Sequence, residues 1–236
     1  MLGIVVPVYN EGANISPLFN AIQNEIRVKK EVMVVYDFEE DDTLPVIEKI
    51  RSQYDFPIIS QKNKYGRGVL NAIKTGMEES HGGAVLVMMA DLSDGLEIVD
   101  RMYDLIKSGE ADLVCGSRYM RGGKQHGGPK FKGFLSRTAG ITLHFLSGIP
   151  THDVTNSYKM YRKKMLKHIR IESNGGFEIG MEITVKAYLQ GYRITELPAE
   201  WFDREDGESH FHLWRWLPSY LRWYLLCIIK SIGRRR

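Results

Sequence analysis

Two carboxylates follow a short apolar run near the middle of the chain. The run "VLVMMA" leads directly into Asp91, and Asp94 lies three residues further on in "DLSDG". Carboxylate oxygens at the end of a buried strand are suited to a hard divalent cation that also binds phosphate oxygens. Met89 stands where a second carboxylate would complete a tight pair. Asp94 is therefore open to two interpretations, a role at a cation site or the N-cap of a following helix.

A second group of polar residues lies near the N-terminus. The segment "VPVYNEG" places Tyr9, Asn10 and Glu11 directly after the first apolar run. A flat aromatic ring can stack on a nucleobase, and a carboxylate accepts N–H or O–H bonds from a base or a ribose. These residues are candidates for a nucleotide-binding edge.

Short, Val-rich strands must position both groups. Four uninterrupted apolar runs alternate with segments of helical periodicity: "GIVVPV", "EVMVVY", "AVLVMMA" and "ADLVCGS". This pattern favours an α/β fold with a mostly parallel sheet covered by helices on both faces. Further strands are predicted at "FPIIS", "SYKMYR" and "YRITELPAEW", and helices at "FEIGMEITVKAYLQ" and from Phe134 to about Ser147. Ligands of such sheets bind beyond the carboxyl ends of the strands, so Tyr9, Asp37 and Asp91 should converge on one rim.

The segment 119–134 interrupts the alternation of strands and helices. It contains five glycines and, counting His126, five basic residues, which makes it too polar for the core. We interpret it as a mobile loop beside the site.

Composition indicates one globular domain with an appendage. The chain has 236 residues, of which 43% are hydrophobic, enough to bury a core. We predict a catalytic domain over 1–208 and a tail over 209–236. Cys115 and Cys227 lie far apart in apolar segments, which favours packing roles and a reducing compartment over a disulfide. The N-terminus begins with a strand-like run and shows no secretory signal, so a cytoplasmic location is expected.

The tail differs from the body in charge. All 29 Asp and Glu lie at or before Glu208, whereas six Lys and Arg follow it, together with three tryptophans. This composition favours an anionic membrane surface over nucleic acid, and the body carries no basic stripe for nucleic acid.

A helix is predicted from Pro218 onward. Its apolar positions share one face: Leu221, Leu225, Ile228 and Ile232. The longest uncharged stretch of this segment is too short to span a bilayer, which requires about 20 consecutive apolar residues. The helix either lies in a membrane interface or packs against the body, a membrane-protein partner or a second copy of the chain.

Along nearly the whole chain, the motifs resemble those of family 2 glycosyltransferases. They occur in the family's order: "VPVYNEG", "GRGVLNAIKTG", "MMADLSD", "GSRY", "DVTNSYKMYR", "GGFEIGMEITVKAYLQGY" and "ITELPAEWFDREDGES". The likeness is greatest to the polyprenyl-phosphate branch, which includes the dolichol-phosphate mannosyltransferases. The resemblance implies a Rossmann-like GT-A fold, a nucleotide-sugar donor, Mg²⁺ or Mn²⁺, and transfer with inversion at the sugar carbon.

The resemblance also implies a set of donor-site residues. Those that match its nucleotide-binding positions are Pro7, Tyr9, Glu11, Asp37 and Arg204, and Asp41 and Thr43 also align. Asp91 matches the aspartate that links the metal to the donor diphosphate, with Ser93 and Asp94 as further metal ligands. Tyr36 replaces the family's first aspartate and Phe38 its glycine. The base, in a GDP or a UDP sugar, is therefore left open.

The predicted acceptor site consists mainly of positively charged side chains. The family's lipid-phosphate positions correspond here to Arg118, Lys132, Ser136 and Arg137. Cations and a hydroxyl suit the charge and acceptor oxygens of a phosphate, which needs no strong general base because it is already ionised.

A hydroxyl acceptor would need a general base. Asp153 is the first candidate and Glu178 the second, although either could instead cap or orient a helix. Arg204 is expected to close over the diphosphate, and His210 stands where relatives carry lysine.

These inferences predict an enzyme at the cytoplasmic face of a membrane. It would move a hexose, mannose or glucose, from a GDP or UDP sugar to a polyprenyl phosphate. Two alternatives remain open, the same donor chemistry on a saccharide or other hydroxyl, and a non-catalytic nucleotide-sugar-binding protein. A nucleotidyltransferase is disfavoured because no Gly-rich, basic loop follows the first strand.

Overall fold

The computed structural model describes residues 1–203 and 213–234. The strands in these residues are β1 (Leu2–Pro7), β2 (Lys30–Tyr36), β3 (Ile58–Lys62), β4 (Ala84–Val87), β5 (Leu113–Ser117), β6 (Lys124–His126), β7 (Lys159–Arg162), β8 (Ile194–Pro198) and β9 (Glu200–Phe202). The helices are α1 (Gly12–Glu25), α2 (Thr43–Ile50), α3 (Val69–Glu79), α4 (Val99–Ser108), α5 (Lys130–Ser147), α6 (Lys163–Leu166), α7 (Glu178–Leu189) and α8 (Leu213–Arg234).

The main sheet confirms the predicted mostly parallel α/β architecture. Within the described ranges, its seven strands lie in the order β3-β2-β1-β4-β7-β5-β8. β7 is antiparallel to both of its neighbours, and the other pairs are parallel. The order reverses between β1 and β4, so their carboxyl ends border the crevice where such sheets bind ligands.

Alternation along β1 explains why helices cover both faces of the sheet. Ile4 and Val6 join a core with residues of α1 and α4, whereas Val5 joins a second core with residues of α3 and α7. Successive strand side chains point to opposite faces, so an uninterrupted apolar strand requires cover on both sides.

Between β5 and β9, three of the sequence-based predictions are wrong. α5 begins at Lys130, not at Phe134, and the segment predicted as a loop contains β6. The last predicted strand is two strands, β8 and β9, interrupted at Ala199, whose N–H donates to the carbonyl of Ser117. Since β6 pairs with β9, 76 positions later, local sequence gives no signal for it.

The C-terminal helix begins at Leu213, and the predicted start, Pro218, lies inside it. One of its faces packs on α5 and α7, with Trp223 and Cys227 buried. The Trp223 indole N–H donates to Ser173 Oγ at 2.8 Å. The opposite face exposes apolar side chains of Leu217, Leu221, Leu225, Ile229 and Ile232. No helix of the described ranges is long and apolar enough to cross a membrane.

The predicted apolar stripe is therefore largely exposed. Leu221, Leu225 and Ile232 are open to solvent, whereas Ile228 packs partly against the core. One face of the helix therefore packs against the body, as one alternative expected, and the membrane-interface alternative stays a prediction.

Candidate active site

The loop after β1 is held by residues that follow β2. Asp41 is buried and accepts from the N–H groups of Asn10 at 3.2 Å and Thr43 at 2.9 Å. The Glu11 N–H donates to Thr43 Oγ1 at 2.9 Å. Asp41 and Thr43 thus shape the edge on which Tyr9 stands half-exposed, and Pro7 ends the strand below it.

Asp37, which follows β2, is hydrogen-bonded at the same rim to the segment between β3 and α3. Its two carboxylate oxygens accept from the Asn63 amide and the Gly68 N–H, each at 2.8 Å. Gly68 has φ +122°, a conformation that favours glycine, and it precedes α3. Asp37 therefore fixes the segment that carries Arg67.

Two further residues at this rim were not among the candidates predicted from the sequence. The Phe38 ring lies edge-on to Tyr9 at 5.3 Å, and the Arg67 guanidinium lies 5.2 Å from the Phe38 ring centre. Aromatic walls with a cation beside them suit a planar, electron-rich base. The departure of Phe38 from the family motif was the available signal, and Arg67 lies in the motif "GRGVLNAIKTG", to which no role was assigned.

Asp91 and Asp94 lie together after β4. Asp94 is buried, and burial followed by the charge of Asp91 raises its pKa to about 7. Arg118 and a hydrogen bond from the Met89 main chain act in the opposite direction. The Ser93 N–H donates to Asp91 Oδ1 at 3.2 Å. A cation would stabilise this pair of mutually repelling carboxylates, of which Asp94 is buried and Asp91 partly buried.

The residues present fit a divalent cation in part. Asp91 and Asp94 supply hard oxygen ligands, but the described residues contain no group of three or more His, Cys, Asp or Glu that could hold a metal. A cation there would need donor phosphates and water to complete its coordination, as is common for Mg²⁺.

The loop after β4 that carries Asp91 and Asp94 is here called the carboxylate corner. β9 connects this carboxylate corner to the segment that follows β5. On one side, the Phe202 N–H donates to the Ser93 carbonyl at 2.9 Å and the Gly95 N–H to the Glu200 carbonyl at 3.1 Å. On the other side, β9 pairs in parallel with β6.

Arg118 is fixed at the end of β5 by a buried ion pair. Its Nε and Nη2 donate to the two Asp153 carboxylate oxygens at 2.7 and 3.0 Å. Nη2 also donates to Ser136 Oγ at 3.1 Å, and Ser136 lies 2.6 Å from Thr155 Oγ1. Tyr119 donates its hydroxyl to Ser136 at 3.0 Å. Arg118 and Ser136 are thus brought together as predicted, and Tyr119 and Thr155 join them.

A cavity of about 460 Å³ opens beside Arg118. Arg137 and Lys130 line it, as do Gly128 and Phe134 of the segment interpreted as a loop. Lys132, one turn before Ser136 on α5, is not part of the lining. A concave, cationic surface of this kind is suited to an anionic group with an apolar continuation.

The structure assigns local contacts to both general-base candidates. Asp153 is buried, with both oxygens bonded to Arg118. Glu178 is also buried and accepts from the N–H groups of Gly175 at 2.8 Å and Gly176 at 2.6 Å, at the start of α7. Their roles as bases stay predictions. Arg204 and His210 lie outside the described residues.

The chain belongs to glycosyl transferase family 2, whose profile matches residues 3–170. Among curated proteins it is 29% identical to a dolichol-phosphate mannosyltransferase of Pyrococcus furiosus, over 88% of this chain and 58% of that protein. It is also 29% identical to a polyprenol monophosphomannose synthase of Mycolicibacterium smegmatis, over 87% of this chain and 79% of the relative. The chain thus spans little more than half of the Pyrococcus protein.

Solved structures of two other proteins share the fold. Glucosyl-3-phosphoglycerate synthase of Mycobacterium tuberculosis, solved with Mn²⁺ and UDP, matches with a TM-score of 0.66 at 16% identity. The match covers 99% of this chain and 80% of that one. TarS of S. aureus, solved with UDP-GlcNAc, matches with a TM-score of 0.65 at 18% identity over 97% of this chain and 66% of the other. The expected GT-A fold is thereby confirmed.

Proposed function

We propose that the protein transfers a hexose, mannose or glucose, from a nucleotide diphosphate to a polyprenyl phosphate with inversion at the sugar carbon. The observation that carries the proposal is the fixed Arg118 guanidinium, which borders a cationic cavity beside the carboxylate corner of the sheet. The names of two relatives, a dolichol-phosphate mannosyltransferase and a polyprenol monophosphomannose synthase, support the same acceptor class.

The donor is assigned to the rim formed by the loops after β1, β2 and β4. Pro7, Tyr9, Glu11 and Asp37 would contact the nucleoside, and Arg204 the diphosphate. Asp91, Asp94 and Ser93 would hold Mg²⁺ or Mn²⁺, which when bound neutralises charge on the departing diphosphate. Support comes from the structural relatives solved with Mn²⁺ or Mg²⁺ and UDP.

The acceptor phosphate is assigned to Arg118, Ser136, Arg137 and Lys132. In the transfer step, a phosphate oxygen attacks the anomeric carbon as the bond from that carbon to the diphosphate breaks. The bonding electrons stay on the nucleoside diphosphate, and attack from the opposite face inverts the configuration. A dianionic phosphate has no proton to lose, so Asp153 serves by orienting Arg118 rather than as a base.

A membrane surface is the proposed source of the acceptor. α8 packs beside α5, which itself exposes Phe131, Phe134, Phe145 and Leu146. The Tyr224 hydroxyl of α8 donates to Thr142 of α5 at 2.9 Å and joins the two helices. Apolar side chains with Lys and Arg around them favour the interface of an anionic leaflet. The tail would thus anchor the enzyme peripherally, at the cytoplasmic face.

The decisive experiment is turnover of a panel of GDP and UDP hexoses with Mg²⁺ or Mn²⁺, with and without polyprenyl phosphate. We expect release of one nucleoside diphosphate only when donor, cation and lipid phosphate are all present. Release with a saccharide instead would establish the hydroxyl-acceptor alternative. Tight nucleotide binding without release under any condition would establish a non-catalytic protein.

A charge variant tests the acceptor assignment. Arg137 is exposed and lines the cavity, so Arg137→Gln should raise the KM for polyprenyl phosphate about tenfold and leave the donor KM unchanged. The matched control is Arg101→Gln, an exposed arginine on α4. Equal acceptor KM values for the two variants would contradict the assignment.

A further inference from the structure

Lys159 is a fully buried lysine in the middle of the main sheet. On β7 it lies between Val87 of β4 and Cys115 of β5. Its ammonium donates to the carbonyl of Val154 at 3.1 Å and to the carbonyl of Asn156. An ammonium taken out of water is costly unless it is hydrogen-bonded, and burial lowers its pKa.

The main chain that Lys159 binds carries contacts of the proposed phosphate site. Asp153 precedes the first bonded carbonyl and holds Arg118. Thr155 lies between the two bonded carbonyls, and its hydroxyl lies 2.6 Å from Ser136. Two of the residues that would contact the phosphate, Arg118 and Ser136, are therefore each supported by the short segment 153–156.

The same segment is attached at two further points. The Asn156 side-chain amide donates to the Gly116 carbonyl at 3.0 Å, at the end of β5. α5 packs closely against it, since a Cβ at Gly140 would lie 2.1 Å from the His152 carbonyl oxygen. The segment is thus confined between β5, α5 and the buried ammonium.

We propose that Lys159 is a positioning residue for the acceptor phosphate, which it serves by fixing the 153–156 main chain that orients Arg118 and Ser136. This inference rests on the proposed function. The ammonium supplies donors to two carbonyls of one turn, and no apolar side chain of similar length can do so. A shift of about 1 Å in a positioning group is enough to impair a transfer step.

A purely structural role makes a different prediction. Lys159→Met removes a costly buried charge but leaves the Val154 and Asn156 carbonyls without their donor, so its effect on stability combines a gain and a loss. If Lys159 serves only stability, Lys159→Met should change the melting temperature and keep both KM values. If it positions the site, the same change should raise the acceptor KM selectively.

The first test is Lys159→Met in the full chain. We expect an acceptor KM raised about tenfold or more and an unchanged donor KM, with the melting temperature measured separately to report on the fold. The matched control is Lys30→Met, because Lys30 is also buried and also donates to a main-chain carbonyl, that of Ile26 at 2.7 Å. Lys30 begins β2, at the amino end of the sheet, and its loss should leave both KM values unchanged.

A second variant keeps the proposal testable if Lys159→Met does not fold. Thr155→Val leaves the buried ammonium in place and removes the hydroxyl that meets Ser136, so it should raise the acceptor KM in the same way. Unchanged acceptor KM in Lys159→Met, or in Thr155→Val, would overturn the positioning role. Absence of lipid-dependent turnover in the unsubstituted protein would instead overturn the proposed function.

Discussion

Arg118 and Asp153 form a two-pronged ion pair in which the carboxylate is buried and the guanidinium side chain is 12% exposed. The Arg118 N–H also donates to Asp153 Oδ2 at 3.1 Å. The pair therefore fixes both the main chain and the side chain of the arginine at the end of β5. Breaking a buried ion pair is costly, because removing one member leaves the other as an unpaired buried charge.

Removing one member of this pair should unfold the protein more easily. Asp153→Asn is expected to reduce the free energy of unfolding by about 3–5 kcal/mol. For a chain of this length, that corresponds to a melting temperature lower by roughly 6–20 °C. The double variant Arg118→Met with Asp153→Leu should recover most of the lost stability without recovering lipid-dependent turnover. Recovered turnover would show that Arg118 does not bind the acceptor.

Asp94 should oppose folding when no cation is present. Its carboxylate is buried, so at pH 8 Asp94→Asn is expected to raise the melting temperature of metal-free protein by several degrees. The same variant should lose most of the rise in melting temperature that Mn²⁺ gives the unsubstituted protein. Thermal scans with Mn²⁺ and with EDTA measure both effects. An equal Mn²⁺ response in the variant would remove Asp94 from the cation site.

The Asp112 carboxylate should make the free energy of unfolding decrease as the pH falls into the acid range. Burial raises its pKa, but hydrogen bonds from Arg193 and Arg162 outweigh burial and hold the pKa below its ordinary value. A carboxyl with a lowered pKa stabilises the fold at pH values above about 4 and loses that contribution as pH falls through its folded-state pKa.

Asp112→Asn should accordingly cost about 2 kcal/mol at pH 7 and less at pH 3. Urea unfolding at pH 7 and at pH 3 measures the cost of the substitution at each pH and shows which is larger. Asp104→Asn, at an exposed position of α4, is the control and should change stability little at either pH. A cost for Asp112→Asn that grows toward pH 3 would contradict the stated direction.

The exposed face of α8 should contribute directly to membrane binding. Burying one leucine side chain is worth about 1.5–3 kcal/mol, so Leu225→Glu should weaken binding about tenfold or more. Flotation with vesicles of equal parts phosphatidylcholine and phosphatidylglycerol measures the partition. Gly233→Glu adds the same charge to the same helix where a Cβ meets nothing within 4 Å, so it controls for charge. Equal partition of the two variants would rule out insertion of this face.

Sequence alone was sufficient for the parallel part of the sheet and for the rim at its carboxyl ends. Uninterrupted apolar runs are a local signal, and β1, β2 and β4 each follow from one run. The antiparallel direction of β7 was not predictable, because strand direction depends on how the chain returns to the sheet. β6 was missed because its stability comes from pairing with the distant β9.

Proximity between candidate residues was easier to predict than the contacts that each of them makes. Arg118 and Ser136 were assigned to one site from matching motifs, and they lie within hydrogen-bond distance. Asp153 was considered as a general base because a sequence does not reveal whether a carboxylate is already engaged by an arginine. Lys159 gave no signal, since a lysine in a strand is ordinarily assigned to an exposed position.

The three-residue strand β9 has a consequence for how such an enzyme diversifies. Its main chain bonds to Ser93, Gly95 and β6 through atoms that every amino acid except proline supplies in full, and Lys124 and His126 of β6 add side-chain contacts with Glu200. Side chains in the segment 119–134 outside these contacts can therefore change during evolution while the main-chain frame that joins the segment to Asp91 and Asp94 persists. New acceptors can be acquired by substitution on one side of β9 without redesign of the other.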